Sequence, residues 1–296
     1  MRRCLLIQRD YGQLGNRLHT HANALAWCIE NQANLVNLSF KEYSHWFSSK
    51  RCKSVEIFIS RKNILVSMLR FSYAKKLIDR LCRSDKWLKR LTNIVIREKK
   101  DSDYLSEKEL NQFFNGDKKV RTLLVRAWDL KFPNLIEKHQ NAVRKILRPS
   151  KGFVLEANTL VDKLRKKYDC IVGVHARRGD YKHFLEGVHF HDWDSYKEWI
   201  QETKKLMEKQ GKGRVGFIVC SDDDLNNGTF DNLPVTFGDS KSVMTDLILL
   251  SSCDYNIGPP SSFGTWVSWY GKVPRLSITK DTDVSSLKQF RVSDSC

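Results

Sequence analysis

The chain has 296 residues, of which 41% are hydrophobic and 29% charged, with 6 prolines and 15 glycines. This length predicts two domains of roughly 150 residues, and the composition excludes a disordered or collagen-like chain. No apolar run approaches the roughly 20 residues that a membrane-spanning helix needs. The basic start, Met1-Arg2-Arg3, precedes an apolar run shorter than a secretory signal requires. The eight cysteines are scattered singly, so we expect reduced thiols in a cytoplasmic protein without a zinc site.

The net charge of +17 is unevenly distributed along the chain. Residues 41–150 hold 27 Lys and Arg against 12 Asp and Glu, and residues 61–100 alone hold 13 against 3. This asymmetry predicts an anionic partner, which can be a nucleic acid, an anionic lipid surface or a phosphorylated substrate. For segment 61–100 we predict peripheral docking on an anionic membrane; a solvated helical face explains the same pattern.

The first 40 residues predict a strand, a glycine-containing turn, a helix and a second strand. The strands cover residues 4–8 and 35–38, and apolar residues recur at helical spacing from Leu18 to Ile29. Asn16 occupies the expected position of the helix N-cap. Residues 61–100 are predicted to be mainly helical.

Helix-breaking residues at 148–152 predict a boundary between domains of residues 1–150 and 151–296. Beyond this boundary, apolar strands alternate with helical patterns. The predicted strands are 170–175, 215–220, 235–237, 255–257 and 273–278, and the predicted helices are 194–208, 243–252 and 262–270. The alternation indicates a parallel sheet covered by helices, which binds ligands at the C-terminal ends of its strands.

Polar clusters follow several predicted strands, where such a sheet binds its ligands. Gly12, Gly15 and Asn16 permit a tight turn at a helix start, which either binds an anion through backbone N–H groups or is a plain connection. Arg177 and Arg178 follow a buried strand, and neighbouring strand residues face opposite sides. We therefore expect one arginine to meet an anionic ligand and the other to pair internally, with Asp180 as its candidate partner. A surface turn with a local salt bridge explains the same residues.

Two further clusters contain hydroxyl groups and carboxylates. Ser221 precedes the aspartates at 222–224, a pattern compatible with magnesium binding, helix capping or hydrogen bonds to a nucleoside. Ser261 and Ser262 follow a rigid Pro259-Pro260 turn at a helix start, which is typical of a phosphate site. Together the clusters predict a cationic crevice that binds phosphate.

The clusters also carry a resemblance to a known family. The tract HARRGD at 175–180 resembles the H-x-R-R-x-D motif of the α-1,2-fucosyltransferases, which α-1,6- and protein O-fucosyltransferases share in looser form. Residues 12–18 resemble their G-x-L-G-N-Q motif, with Arg17 replacing Gln. Residues 220–223, 246–254 and 261–266 resemble their F-S-D-D, D-L-x-L-M-x-x-C and N-S-T-F-S-W-W segments; the last lacks one aromatic residue here and follows Pro259-Pro260.

The resemblance implies a GT-B fold, in which two Rossmann-like domains face a cleft. It implies an inverting, metal-independent transfer of fucose from GDP-fucose to a glycan acceptor, without a cofactor. The predicted membrane docking of segment 61–100 adds a lipid-linked glycan as a possible acceptor. Arg177 would contact the β-phosphate, Asn16 would face the acceptor side, and Glu186 is a candidate general base, although a solvated loop glutamate also explains it. The substrate-binding residues would be Gly12, Gly15, His175, Arg178, Asp180, Ser221, Asp222, Asp246, Ser261, Ser262 and Phe263.

Two other classes of function remain open at this stage. The basic charge is compatible with a nucleic-acid-binding protein, although no nucleic-acid-binding motif is present and we expect none to be bound. A GDP-sugar-binding protein without catalytic activity would carry the same motifs. Binding of GDP and transfer of a sugar distinguish the three.

Overall fold

The computed structural model describes residues 3–7, 11–48, 94–98, 104–116, 122–126, 129–223, 230–238 and 242–294. The chain divides into two compact units, of which unit 1 covers Met1–Arg148 and unit 2 covers Pro149–Asp294. None of the helices within the described residues has the length and apolar character needed to cross a membrane.

Unit 1 contains a parallel sheet with the strand order β2-β1-β5-β3, and a separate parallel pair, β4 and β6. The strands are β1 (Cys4–Ile7), β2 (Asn34–Asn37), β3 (Ile94–Glu98), β4 (Tyr104–Ser106), β5 (Thr122–Arg126) and β6 (Asp129–Lys131). The helices are α1 (Leu14–Glu30), α2 (Glu107–Gly116) and α3 (Pro133–Ile146). The predicted strand–turn–helix–strand unit at the start of the chain is confirmed.

Two predictions for unit 1 were wrong in detail. Asn16 is not the N-cap of α1, because Gln13 has extended backbone angles and the helix begins at Leu14. Residues 94–98 form strand β3 rather than a helix, since the β-branched run Ile94-Val95-Ile96 pairs with β5 in the parallel sheet. Residues 61–93 and 99–100 of the basic segment lie outside the described residues, so its predicted helices and membrane contact stay predictions.

A buried polar group joins α1 to the segment after β2. His21 is 6% exposed and stacks on Phe40, with the ring centroids 4.2 Å apart. The Asn37 side-chain amide lies 3.0 Å from His21 Nδ1, and Asn37 Oδ1 accepts hydrogen bonds from the backbone N–H and the hydroxyl group of Ser39. Burial lowers the pKa of His21 to about 3, so this imidazole is neutral in the folded protein.

The neutral state of His21 predicts acid sensitivity of unit 1. In the unfolded chain a histidine binds a proton near pH 6.5, whereas folded His21 does not, so stability falls as the pH drops below 6.5. Between pH 6.5 and pH 5 this linkage removes about 2 kcal/mol. We expect His21→Phe to show a smaller loss over that interval than wild type in urea unfolding. Equal losses would contradict a buried neutral His21.

Unit 2 contains a parallel sheet with the strand order β11-β10-β7-β8-β9. The strands are β7 (Cys170–Ala176), β8 (Val215–Ser221), β9 (Val235–Phe237), β10 (Tyr255–Gly258) and β11 (Arg275–Ser277). The helices are α4 (Lys151–Arg165), α5 (Trp193–Lys209), α6 (Val243–Ser251) and α7 (Ser262–Gly271). The predicted parallel sheet and the alternation of strands with helices are confirmed for this unit.

The core of unit 2 surrounds the central strands. Apolar side chains of β7 and β8 are nearly all buried, as their continuous apolar sequences predicted. Tyr196, Trp199 and Ile200 of α5 pack in the same cluster. This rigid base positions the loops at the C-terminal ends of the strands.

Five cysteines among the described residues are buried and make no disulfide with one another. They are Cys4, Cys28, Cys170, Cys220 and Cys253. Burial raises the pKa of each thiol, so the reactive thiolate is disfavoured.

Candidate functional site

The loops that follow β7, β8 and β10 meet at one edge of the sheet of unit 2. The strands are parallel, so their C-terminal ends lie on the same side. Asp222, after β8, joins two of these loops: its Oδ1 accepts hydrogen bonds from the backbone N–H of Arg178 at 2.7 Å and of Gly179 at 2.9 Å. The arginine-containing loop after β7 and the aspartates after β8 therefore meet at this edge.

Arg177 is held by its own loop. Its Nε and Nη2 donate to the two carboxylate oxygens of Asp180 at 2.9 and 2.6 Å, and its guanidinium lies 4.5 Å from the ring centre of Tyr181. This pair lowers the pKa of Asp180. Within the described residues Nη1 makes no hydrogen bond, so the end-on edge of the guanidinium is available to a ligand. The expectation that Asp180 would pair with the internal arginine was wrong: Asp180 pairs with Arg177.

Arg178 points away from Arg177 and is fixed by other groups. Its Nε donates to Asp223 at 3.0 Å and its Nη1 donates to the backbone carbonyl of His191 at 2.6 Å. The guanidinium lies between the rings of Phe190 and Trp193, at 4.9 and 4.6 Å from their centres. As expected for neighbouring strand-end residues, the two arginines serve different surroundings.

His175, near the end of β7, lies against the start of α7. Its ring is 4.8 Å from that of Phe263, and its Nδ1 is 3.5 Å from Ser261 Oγ. Burial lowers the pKa of His175 to about 3, helped by the nearby charges of Arg275 and Arg177. The imidazole is therefore neutral and serves as a packing and hydrogen-bonding group.

The start of α7 has the form of an anion site. Ser261 is the N-cap, and its Oγ accepts a hydrogen bond from the backbone N–H of Gly264 at 2.9 Å. Helix N-termini carry partial positive charge and offer backbone N–H donors, which suits a phosphate group near Ser262 and Phe263. Tyr181, which the sequence reasoning assigned no role, donates from its hydroxyl group to the carbonyl of Pro260 at 2.6 Å.

The structure gives each of the other residues predicted in unit 2 its own surroundings. Ser221 ends β8 and accepts a hydrogen bond from the backbone N–H of Asp223 at 3.1 Å. Asp246, on α6, contacts Cys220 near the end of β8, and burial followed by this carboxylate raises the pKa of the thiol. Glu186 is exposed and has a left-handed backbone with φ of 57°. Asp224 lies outside the described residues.

The glycine-containing turn of unit 1 is stabilised by side chains of the first turn of α1, those of Asn16 and Arg17. Gly12 has φ of +60°, and a Cβ atom there would lie 2.0 Å from the side-chain nitrogen of Asn16. Arg17 donates from Nε to the carbonyl of Gly12 and from Nη1 to the carbonyl of Ser39. Gly15 is buried in the first turn of α1. Asn16 therefore packs against the turn instead of capping the helix.

No group of three or more His, Cys, Asp or Glu side chains arranged to hold a metal ion occurs among the residues that the structure describes. The two described aspartates of the triplet are already engaged, Asp222 by backbone N–H groups and Asp223 by Arg178.

Comparison with known proteins finds relatives of this chain by sequence and by fold. Residues 143–285 match the model of glycosyl transferase family 11. An alpha-1,2-colitosyltransferase of Escherichia coli is 24% identical over 271 residues, covering 90% of this chain and 87% of the relative. The O-antigen biosynthesis glycosyltransferase WbnK of Escherichia coli is 24% identical over 270 residues, covering 87% of each chain.

Solved structures share the fold. A mutant of Arabidopsis thaliana FUT1 in complex with GDP has a TM-score of 0.54 at 12% identity, covering 98% of this chain and 74% of that chain. Fucosyltransferase NodZ from Bradyrhizobium has a TM-score of 0.51 at 15% identity, covering 95% of this chain and 97% of that chain.

The arginine motif and the start of α7 lie within residues 143–285, the segment that the family model matches, and together with the two relatives this match identifies the chain as a glycosyltransferase. Within that class, the chain resembles the fucosyltransferases in its fold, and the motif at residues 175–180 carries the same resemblance.

Proposed function

We propose that this enzyme transfers fucose from GDP-fucose to a hydroxyl group of a glycan acceptor, with inversion at the anomeric carbon and without a metal ion. The observation that carries the proposal is the convergence in unit 2 of Arg177, His175 and the start of α7. A diphosphate placed at this edge would meet the end-on edge of Arg177 and the backbone N–H groups of Ser262 and Phe263.

The proposed mechanism follows from the leaving group. As the glycosidic bond to GDP breaks, negative charge grows on the β-phosphate, and donors fixed in advance stabilise that charge more than they stabilise the ground state. Asp180 and Tyr181 hold Arg177 in orientation, so the guanidinium does not need to reorganise. The acceptor hydroxyl group attacks from the opposite face of the sugar. Glu186 remains the candidate base, and Asn16 the candidate acceptor-side residue.

The remaining parts of the proposal concern the architecture and the acceptor. The proposal includes the GT-B fold that the sequence resemblance implies, with unit 2 binding the donor and the Gly12–Asn16 turn of unit 1 serving the acceptor. The enzyme would act in the cytoplasm, with segment 61–100 docked on an anionic membrane that carries a lipid-linked acceptor. We expect the protein to co-sediment with anionic but not with neutral vesicles. Equal co-sedimentation with both kinds of vesicle would contradict the proposed docking.

A thermal-shift panel tests the donor. Wild-type protein is melted with GDP, GDP-fucose, the GDP-linked form of colitose and, as a control, UDP. A ligand at 100 times its Kd stabilises the folded protein by about 2.7 kcal/mol, so GDP-fucose and GDP should raise the Tm while UDP should not. Release of GDP with a glycan acceptor then shows transfer.

Two outcomes would contradict the proposal. Binding of GDP without transfer to any glycan would identify a binding protein without catalytic activity. Salt-sensitive retention of RNA without nucleotide binding would identify a nucleic-acid-binding protein.

Metal independence gives a second prediction for this function. Asp222 and Asp223 already accept hydrogen bonds from protein donors, and Arg177 with the start of α7 supplies positive charge for the diphosphate. We expect transfer rates to be unchanged, within about twofold, after dialysis against EDTA. Loss of activity that returns with Mg²⁺ or Mn²⁺ would refute the metal-free mechanism.

A further inference from the structure

Arg275, on β11, has no place in any motif of the sequence. Its Nη2 donates to the backbone carbonyl of Gly258 at 3.0 Å and to that of Pro259. The side chain is partly buried, and burial lowers the pKa of its guanidinium to about 10. No carboxylate within the described residues forms an ion pair with it. A desolvated charge without an acidic partner is unfavourable unless an anion approaches.

Two side chains, those of Arg275 and Tyr181, donate hydrogen bonds to the carbonyl groups of the turn before α7. Arg275 binds those of Gly258 and Pro259, and the hydroxyl group of Tyr181 binds that of Pro260. Three successive acceptors are therefore occupied by protein donors. Because these carbonyl oxygens already accept hydrogen bonds, their negative charge is partly compensated. An incoming anion then meets the N–H donors at the start of α7 without repulsion from free carbonyl oxygens.

Gly264 provides the space that Arg275 occupies. A Cβ atom at position 264 would lie 2.6 Å from Nε of Arg275 and 2.8 Å from its Cζ. Glycine inside a helix is unfavourable by about 1 kcal/mol relative to alanine, so its presence in the first turn of α7 calls for a steric reason. The fucosyltransferase segment quoted above has serine at this position. Gly264 and Arg275 thus form a matched pair beneath the helix start.

We propose that Arg275 is a positioning residue for the donor diphosphate: it fixes the 258–260 turn and supplies positive charge beneath the start of α7, and Gly264 admits its guanidinium. This inference rests on the proposed function. Its charge would act on the phosphate groups through the helix start and not on the guanosine part of the donor. Loss of Arg275 should therefore weaken phosphate-dependent binding selectively.

Calorimetry with GDP, and competition with guanosine, tests the proposal on three variants. In Arg275→Gln the Kd for GDP should rise about tenfold or more, while that for guanosine should change less than threefold. Gly264→Ala keeps Arg275 but pushes its guanidinium away. This variant should also raise the Kd for GDP relative to the Kd for guanosine. Arg214→Gln is the matched control, because it removes one positive charge at the start of β8, where Arg214 is exposed and paired with Asp169. It should change neither Kd.

The outcomes separate the two proposals. If wild type binds GDP and folded Arg275→Gln binds it equally well, the inference about Arg275 fails and the proposed function stands. Equal weakening of GDP and guanosine would show a merely structural role and would also overturn the inference. If wild-type protein does not bind GDP, both the proposed function and the inference about Arg275 are wrong. If Arg275→Gln does not fold, as judged by circular dichroism, the GDP-to-guanosine ratio of Gly264→Ala decides.

Discussion

The Arg177→Lys enzyme is expected to turn over about a hundredfold more slowly than wild type while keeping its fold. In the structure Asp180 occupies one edge of the guanidinium, and the end-on edge is open to a phosphate group. Lysine has a single charged nitrogen, which cannot bind Asp180 through two parallel bonds and still present a fixed pair of donors. Loss of one donor aimed at transition-state charge lowers the rate by about 10²–10³-fold.

Steady-state kinetics with GDP-fucose and a glycan acceptor measures this effect. A fall in kcat with a small change in KM would show that the interaction strengthens as GDP departs. The Tm should stay close to that of wild type, because lysine keeps the charge and the ion-pair partner Asp180 lies on the surface with 40% of its side chain exposed. An Arg177→Lys enzyme with at least a tenth of wild-type kcat would show that the motif position has been assigned wrongly.

Arg178→Lys is expected to have the opposite effect, lowering the free energy of unfolding by about 2 kcal/mol with turnover reduced only severalfold. The side chain of Arg178 is 11% exposed and joins Asp223, the carbonyl of His191 and two aromatic rings. Lysine keeps the charge but can satisfy only part of this set, and it stacks poorly between Phe190 and Trp193. The half-buried Asp223 carboxylate then loses a well-oriented donor.

Urea unfolding of wild type and both lysine variants, followed by tryptophan fluorescence, measures the second prediction. The two substitutions change the same residue type at adjacent positions, so each serves as the control for the other. If Arg178→Lys lost its activity with an unchanged Tm, the roles of the two arginines would be reversed.

The sheet of unit 2 could be predicted because its strands are almost wholly apolar and its helices have clear periodicity. Segments 170–176 and 215–221 are buried on both faces, so their sequences are nearly continuous apolar runs. They lack the regularly spaced polar residues of a surface helix. Strand β3 was missed because Ile94-Val95-Ile96 stands in a basic, helix-like context. Its strand conformation depends on pairing with β5, a contact between residues far apart in the chain.

The site was predictable in its position and less so in its pairings. The sequence placed polar residues at the strand ends, but the distance between Arg177 and Asp180 along the chain does not reveal which arginine turns toward the carboxylate. Arg275 could not be found from a pattern, because its partners are backbone carbonyl groups and its space comes from the absence of a side chain at Gly264. Such contacts leave no characteristic residue type in the sequence.

The bridge made by Asp222 has a consequence for the thermodynamics of nucleotide binding. Since one carboxylate oxygen ties the backbone after β7 to the end of β8, the two segments are already ordered when a ligand arrives. Little conformational entropy is then lost on binding, which favours affinity from a rigid, pre-organised surface. Residues 177–180 and 221–223 should therefore superimpose closely in crystals of the free and the GDP-bound protein, with changes confined to side-chain rotamers.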